Sequence, residues 1–255
     1  GEQMVAAGLL EILVDVLKLR TAKAERNHPK ILNFLDTFVY NLRDAFSALV
    51  AAKGLEIIAD LMQYEVDTSK KLAEEDKGMP KEYKTQLTDY QIPFYHQQSL
   101  RWLFKFLNHM MSHTGGNFDR LMRNLLDSQQ LLSSLRTVLS NAKIFGSTVW
   151  SMAVTILTSF INNEPTSYQV IAEAGLSDAF LETVAGEPAS ESIAAANATE
   201  GASTPATYPP REGGKPLAEG ILPVAEAIST LPPAFDGICL AEAGMKLFQS
   251  STALQ

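Results

Sequence analysis

A short junction recurs along the chain and constrains its fold more than any other feature: Ala7-Gly8-Leu9, Lys53-Gly54-Leu55, Ala174-Gly175-Leu176 and Ala243-Gly244-Met245. Each stands between a brief stretch of helical periodicity and a longer one. Glycine suits such a place, because a helix that ends and turns sharply into another closes on a left-handed residue, a conformation glycine adopts without steric penalty. A related junction without glycine stands at Ser128-Gln129-Gln130.

Between the junctions the apolar residues follow a helical period. Leu100, Leu103, Phe104, Leu107, Met110 and Met111 fall on one helical face, and Phe118, Leu121, Met122, Leu125 and Leu126 repeat the arrangement, as do Leu131, Leu132, Leu135, Val138 and Leu139. No comparable run alternates with period two, so the chain reads as all-α. The junctions are 46 residues apart from Gly8 to Gly54 and 45 from Gln130 to Gly175. Those are armadillo and HEAT periods, well above the tetratricopeptide and ankyrin lengths. The reading is therefore an armadillo/HEAT-like helical solenoid over residues 1–255, with about four repeats of three helices. The clearest helices are expected at 117–127, 130–141 and 145–161, followed by 167–174 and 176–185.

Two irregular insertions explain the longer intervals. Residues 65–93 are charged and turn-rich, with Lys70, Lys71, Glu74, Glu75, Asp76, Lys77, Gly78 and Pro80, and show no sustained apolar face. Residues 186–223 form a low-complexity Ala/Ser/Pro/Gly segment that includes Pro205, Pro209, Pro210, Gly213, Gly214 and Pro216. Such a composition buries too little apolar surface to offset the entropy of ordering, so both are expected as loops.

The rest of the chain narrows the function classes. Its hydrophobic fraction of 46% supports a continuous core. Cys239 is the sole cysteine and cannot form an intramolecular disulfide, so nothing points to an oxidising compartment, and the sequon at Asn197-Ala198-Thr199 carries little weight. Met4–Leu19 contains Glu11 and Asp15 and reads as an amphipathic helix rather than a signal peptide. The uncharged stretch from Ile144 to Ile161 is broken by Ser147, Thr148, Ser151, Thr155, Thr158 and Ser159, so a buried helix fits better than a membrane span. Gly1 at the start and the incomplete pattern from Met245 to Gln255 read as cuts in a longer protein. The net charge is -8, with 16 basic and 17 acidic residues in 1–128 against 5 and 12 in 129–255. That bias disfavours nucleic acid and would attract basic proteins.

No constellation assembles an active site. His109 and His113 have the spacing of helical zinc ligands, but Met110 and Met111 follow His109 where a metalloprotease motif requires glutamate, and no third ligand is evident. Cys239 has Asp236 and Glu242 nearby rather than a base or a cation, and reads as a small core residue. Gly115-Gly116 lacks the Lys-Ser/Thr of a phosphate loop, and Glu74-Glu75-Asp76 falls in the expected loop. Peptide-binding armadillo proteins place an asparagine four residues after a third-helix tryptophan, whereas Trp150 is followed at that spacing by Val154. No catalytic, cofactor-binding or metal residues are assigned, and the sequence does not locate a binding surface.

The wording of the sequence is also familiar. Ile92-Pro93-Phe94-Tyr95, Phe145-Gly146-Ser147, Phe160-Ile161-Asn162-Asn163-Glu164-Pro165-Thr166-Ser167, Glu173-Ala174-Gly175-Leu176 and Leu231-Pro232-Pro233-Ala234-Phe235 resemble the N-terminal armadillo region, a domain of unknown function, of the giant HECT-type ubiquitin ligases of the Tom and Mule (Huwe) family, in a fungal version. The resemblance implies a non-catalytic scaffold that recruits protein substrates, including basic ones such as histones or ribosomal proteins. It also implies contact with the remainder of the parent solenoid, no cofactor, no membrane, and residence in nucleus and cytoplasm. The catalytic cysteine of the family belongs to a HECT domain outside this chain. The alternative is a free-standing armadillo adaptor in transport or signalling, and the full reading frame discriminates the two.

Overall fold

The computed structural model describes residues 2–41, 44–75, 92–113, 118–163 and 167–185. Every regular element among them is helical: α1 (Glu2–Leu17), α2 (Ala22–Glu25), α3 (His28–Asn41), α4 (Ala45–Ala51), α5 (Gly54–Glu75), α6 (Phe94–His113), α7 (Phe118–Leu126), α8 (Gln129–Ser140), α9 (Ala142–Asn163), α10 (Ser167–Glu173) and α11 (Leu176–Ala185). The all-α expectation holds for the described residues, and no helix among them is long and apolar enough to cross a membrane.

The helices stack in two layers. In layer A, α6 packs between α3 and α9; in layer B, α8 packs between α5 and α11, and α1 lies against α5. The short helices α4, α7 and α10 each lead into a layer-B helix. The units are thus short helix, layer-B helix, layer-A helix, as α4–α5–α6 and α7–α8–α9 show. One core runs through the stack, from Leu10 and Leu35 through Met62, Phe104 and Leu135 to Trp150 and Phe180. Each fully buried Leu or Phe in it contributes roughly 1.5–3 kcal/mol, and each unit supplies the surface its neighbours need.

The helix ends follow local chemistry. Thr21 and Ser128 cap α2 and α8, their hydroxyls accepting from the amides of Ala24 at 3.3 Å and Leu131 at 3.2 Å. Gly175 has φ 71° and makes the expected left-handed turn between α10 and α11. The other described junctions depart from expectation. Gly8 lies inside the unbroken helix α1 and has no neighbour within 4 Å of where its Cβ would stand. At the second junction the left-handed residue is Lys53, with φ 57°, and Gly54 is the first residue of α5. Gly54 is needed for space: a Cβ there would lie 2.3 Å from Leu49 Cδ1 and 2.9 Å from the Leu49 carbonyl oxygen. Because backbone is one of those obstacles, Gly54→Ala should cost about 1–3 kcal/mol, measurable as a lower midpoint in urea unfolding. The fourth junction, at Gly244, lies outside the described residues.

A turn not foreseen from sequence splits α9, where Gly146 has φ 76° and ψ 165°. That conformation is confined to glycine. It separates the turn Ala142–Phe145 from the long helix that follows, close to the expected start at 145.

The first insertion begins later than expected. Residues 65–75 continue α5, with Glu65, Val66, Ser69 and Ala73 buried, while 76–91 lie outside the described residues. The apolar face was disguised because two of its four buried positions are polar. The second insertion, 186–223, and Cys239 also lie outside the described residues.

Candidate binding surface

Two places gather polar side chains: a buried seam between the layers and the free face of layer A. The seam is built by α5 and α6. Glu65 is fully buried, and its Oε2 lies 2.6 Å from His96 Nδ1 on α6, itself 4% exposed. Burial raises the Glu65 pKa above the ordinary 4.5, more than the hydrogen bond from His96 lowers it. Nearby, the Tyr64 hydroxyl donates to Glu25, and the Arg20 guanidinium lies over the Tyr64 ring at 4.6 Å from its centroid.

His28 completes the seam. It is fully buried, and its Nε2 lies 3.2 Å from the Val16 carbonyl oxygen, so that nitrogen carries the proton. Its Nδ1 meets no hydrogen-bond partner among the described residues. Burial holds the His28 pKa below the ordinary 6.5. As pH falls through 6.5 the unfolded chain takes up a proton that the folded chain refuses, so stability is lost until the folded pKa is reached. Glu65 works in the opposite sense, since its contribution is present below 4.5 and is lost as pH rises through its folded pKa. His28→Gln, which can still donate to Val16, should therefore flatten the acid-side fall of the melting temperature below pH 6.5. Equal slopes for the two proteins would show that another group carries it.

An acid and a histidine 2.6 Å apart have the composition of a proton-transfer pair, and both side chains are buried between the layers. The neighbouring pocket, lined by Ile92, Gln97, Leu100, Arg101, Ile144 and Thr148, has a volume of about 20 Å³, room for one water-sized group. The seam serves structure: it ties α5 to α6 across the layers.

Among the described residues no helix packs over the outer face of layer A, which is partly exposed. On α6 it consists of Gln98, Arg101, Trp102, Lys105, Asn108 and His109, all half-buried, because the other sides of the helix pack on α3, α9 and layer B. Lys105 Nζ lies 4.4 Å from the centre of the Trp102 ring. His109 Nδ1 is 2.8 Å from Asp36 on α3, and the Asn108 amide donates to the Met152 carbonyl on α9 at 3.3 Å. These two contacts fasten α6 to both neighbours. His109 thus engages a carboxylate across the layer, and the side chain of His113 lies outside the described residues. Among the described residues no group of three potential metal ligands comes together.

Trp150, at the position compared with the armadillo peptide clamp, faces inward. Its Nε1 donates to the Leu139 carbonyl at 3.0 Å and its ring stacks on Phe180, while Val154 is also buried. The tryptophan on the accessible face is Trp102, which sequence reasoning passed over. Its signal was available: Gln98, Arg101, Trp102, Lys105 and His109 make one polar stripe on a helix whose apolar face had been recognised.

The described residues define the class: an α-solenoid with polar side chains along the outer face of one layer. Residues 29–255 match the family described as Domain of Unknown Function (DUF913), and the chain belongs to that family. The whole chain is 39% identical to an E3 ubiquitin-protein ligase TOM1-like from Neurospora crassa, of which it covers 7%. It is 30% identical to E3 ubiquitin-protein ligase ptr1 from Schizosaccharomyces pombe over 97% of the chain and 6% of that protein. It is likewise 30% identical to E3 ubiquitin-protein ligase TOM1 from Saccharomyces cerevisiae, over 69% of the chain and 5% of that protein. The chain therefore spans a small part of the length of these relatives.

Proposed function

We propose that this chain is a scaffold and substrate-recruiting segment of a large HECT-type E3 ubiquitin-protein ligase, and that it holds proteins without catalysing transfer. The observation that carries this reading is the similarity of the entire chain to 7% of a TOM1-like ligase. The packing supports it: the acid–histidine pair is sealed, and the accessible groups lie on an open helical face. The partners are substrate proteins and the remainder of the parent solenoid, in nucleus and cytoplasm. The acidic excess of residues 129–255, together with the carboxylates of layer B, suits basic proteins such as histones or ribosomal proteins, bound weakly and in a salt-sensitive way.

Incubated with ubiquitin, activating enzyme and conjugating enzyme, the 255-residue chain should form no reducible ubiquitin adduct. An adduct that disappears in Cys239→Ala would overturn the scaffold reading.

A further inference from the structure

Charge is sorted between the two layers. The layer-A helices α3, α6 and α9 carry Lys30, Arg101, Lys105 and Lys143, and Asp36 is their sole carboxylate. The layer-B helices α1, α5, α8 and α11 carry eleven carboxylates against Lys70, Lys71 and Arg136. The net charge of -8 thus conceals a cationic layer on an anionic one. Among the described residues none of the four layer-A cations forms an ion pair, and Asp36 is buried and engaged by His109.

We propose that the free face of layer A docks an extended acidic segment of a partner protein. Arg101 and Lys105 stand one helical turn apart on α6, a rise of about 6 Å. Alternate side chains of an extended peptide repeat at about 6.6 Å, so carboxylates at every second position meet the two cations in register. The intervening side chains meet apolar surface from half-buried Trp102 and from Ile144 on α9, which lines a small pocket together with Arg101. The receiving groups are held in advance, Lys105 by the Trp102 ring and the helix itself by the His109–Asp36 and Asn108–Met152 contacts, which lowers the ordering cost of binding.

A protein segment fits better than a nucleic acid. Lys105 covers a face of Trp102 on which a base would stack, and four dispersed cations on a chain of charge -8 make a poor phosphate track. The inference rests on the reading of the chain as a protein-holding scaffold, but assigns this face a partner opposite in charge to that of layer B.

The test is fluorescence anisotropy of the 255-residue chain with a short labelled peptide in which glutamate alternates with leucine. Arg101→Glu combined with Lys105→Glu should weaken binding by about tenfold or more, whereas Lys70→Glu combined with Lys71→Glu on layer B should change it by less than about twofold. Added salt should weaken the native complex. Equal effects of the two charge-reversal pairs, equal affinity for the glutamine version of the peptide, or tighter binding of a single-stranded oligouridylate of the same charge would each overturn the proposal. If the peptide fails while histones still bind in a salt-sensitive way, this inference alone falls; if neither binds, the scaffold reading falls with it. Circular dichroism of both variants confirms that the comparison is between folded proteins.

Discussion

Trp150→Ala should lower the unfolding free energy by about 3–5 kcal/mol, the range for emptying a buried aromatic site. Trp150 is 1% exposed and sits where three helices meet: it projects from α9, donates to the carbonyl of Leu139 on α8, and stacks on Phe180 of α11 with ring centres 5.8 Å apart. The Thr183 hydroxyl also donates to that carbonyl, at 2.6 Å, so truncation leaves the acceptor partly satisfied and the loss is mainly packing. Urea unfolding followed by circular dichroism measures the change. Thr148→Ala, at an exposed position on the same helix, should stay within about 0.5 kcal/mol of the native chain. A similarly small loss for Trp150→Ala would mean that α11 does not pack as described.

The second large effect is expected at the seam. His96→Ala removes the partner of a carboxylate with no exposed surface and should cost about 3–5 kcal/mol. Replacing both partners by leucine should recover much of that loss, because the penalty comes from stranding one polar group rather than from the absence of the pair. A double variant as unstable as His96→Ala would show that the pair itself supplies the stability.

The sequence made the stack legible where one face of a helix is predominantly apolar and carries no buried charge. The helices expected at 117–127, 130–141, 167–174 and 176–185 stand at 118–126, 129–140, 167–173 and 176–185 because most of their buried positions carry Leu, Ile, Val, Phe or Ala, with Ser134, Ser167 and Ser177 as small polar exceptions. The second half of α5 was illegible for the opposite reason: Glu65 and Ser69 occupy core positions, and Glu65 is tolerable there only because His96, 31 residues away, meets it. Periodicity cannot register a polar residue whose partner is distant. The glycine junctions were half legible. Gly175 does what its residue type suggests, but Gly54 is required by the approach of Leu49, which depends on the fold, and Lys53 takes the left-handed turn instead.

Net charge summed over halves of the chain hides the cationic face. Cations and carboxylates alternate along the sequence as the helices alternate between layers, so a sum over consecutive residues cancels what the fold separates. Layer A becomes visible only when α3, α6 and α9, distant in sequence, are placed side by side.

The central claim, that this segment holds proteins while ubiquitin transfer occurs elsewhere, is tested most directly in the parent ligase with and without residues 1–255. The measurement is the rate of ubiquitin thioester formation on the ligase alongside the rate of transfer to a protein that the isolated chain captures. The account predicts an unchanged thioester rate and loss of transfer to that protein. A ligase that no longer forms the thioester, or that still modifies the captured protein at the full rate, would contradict it.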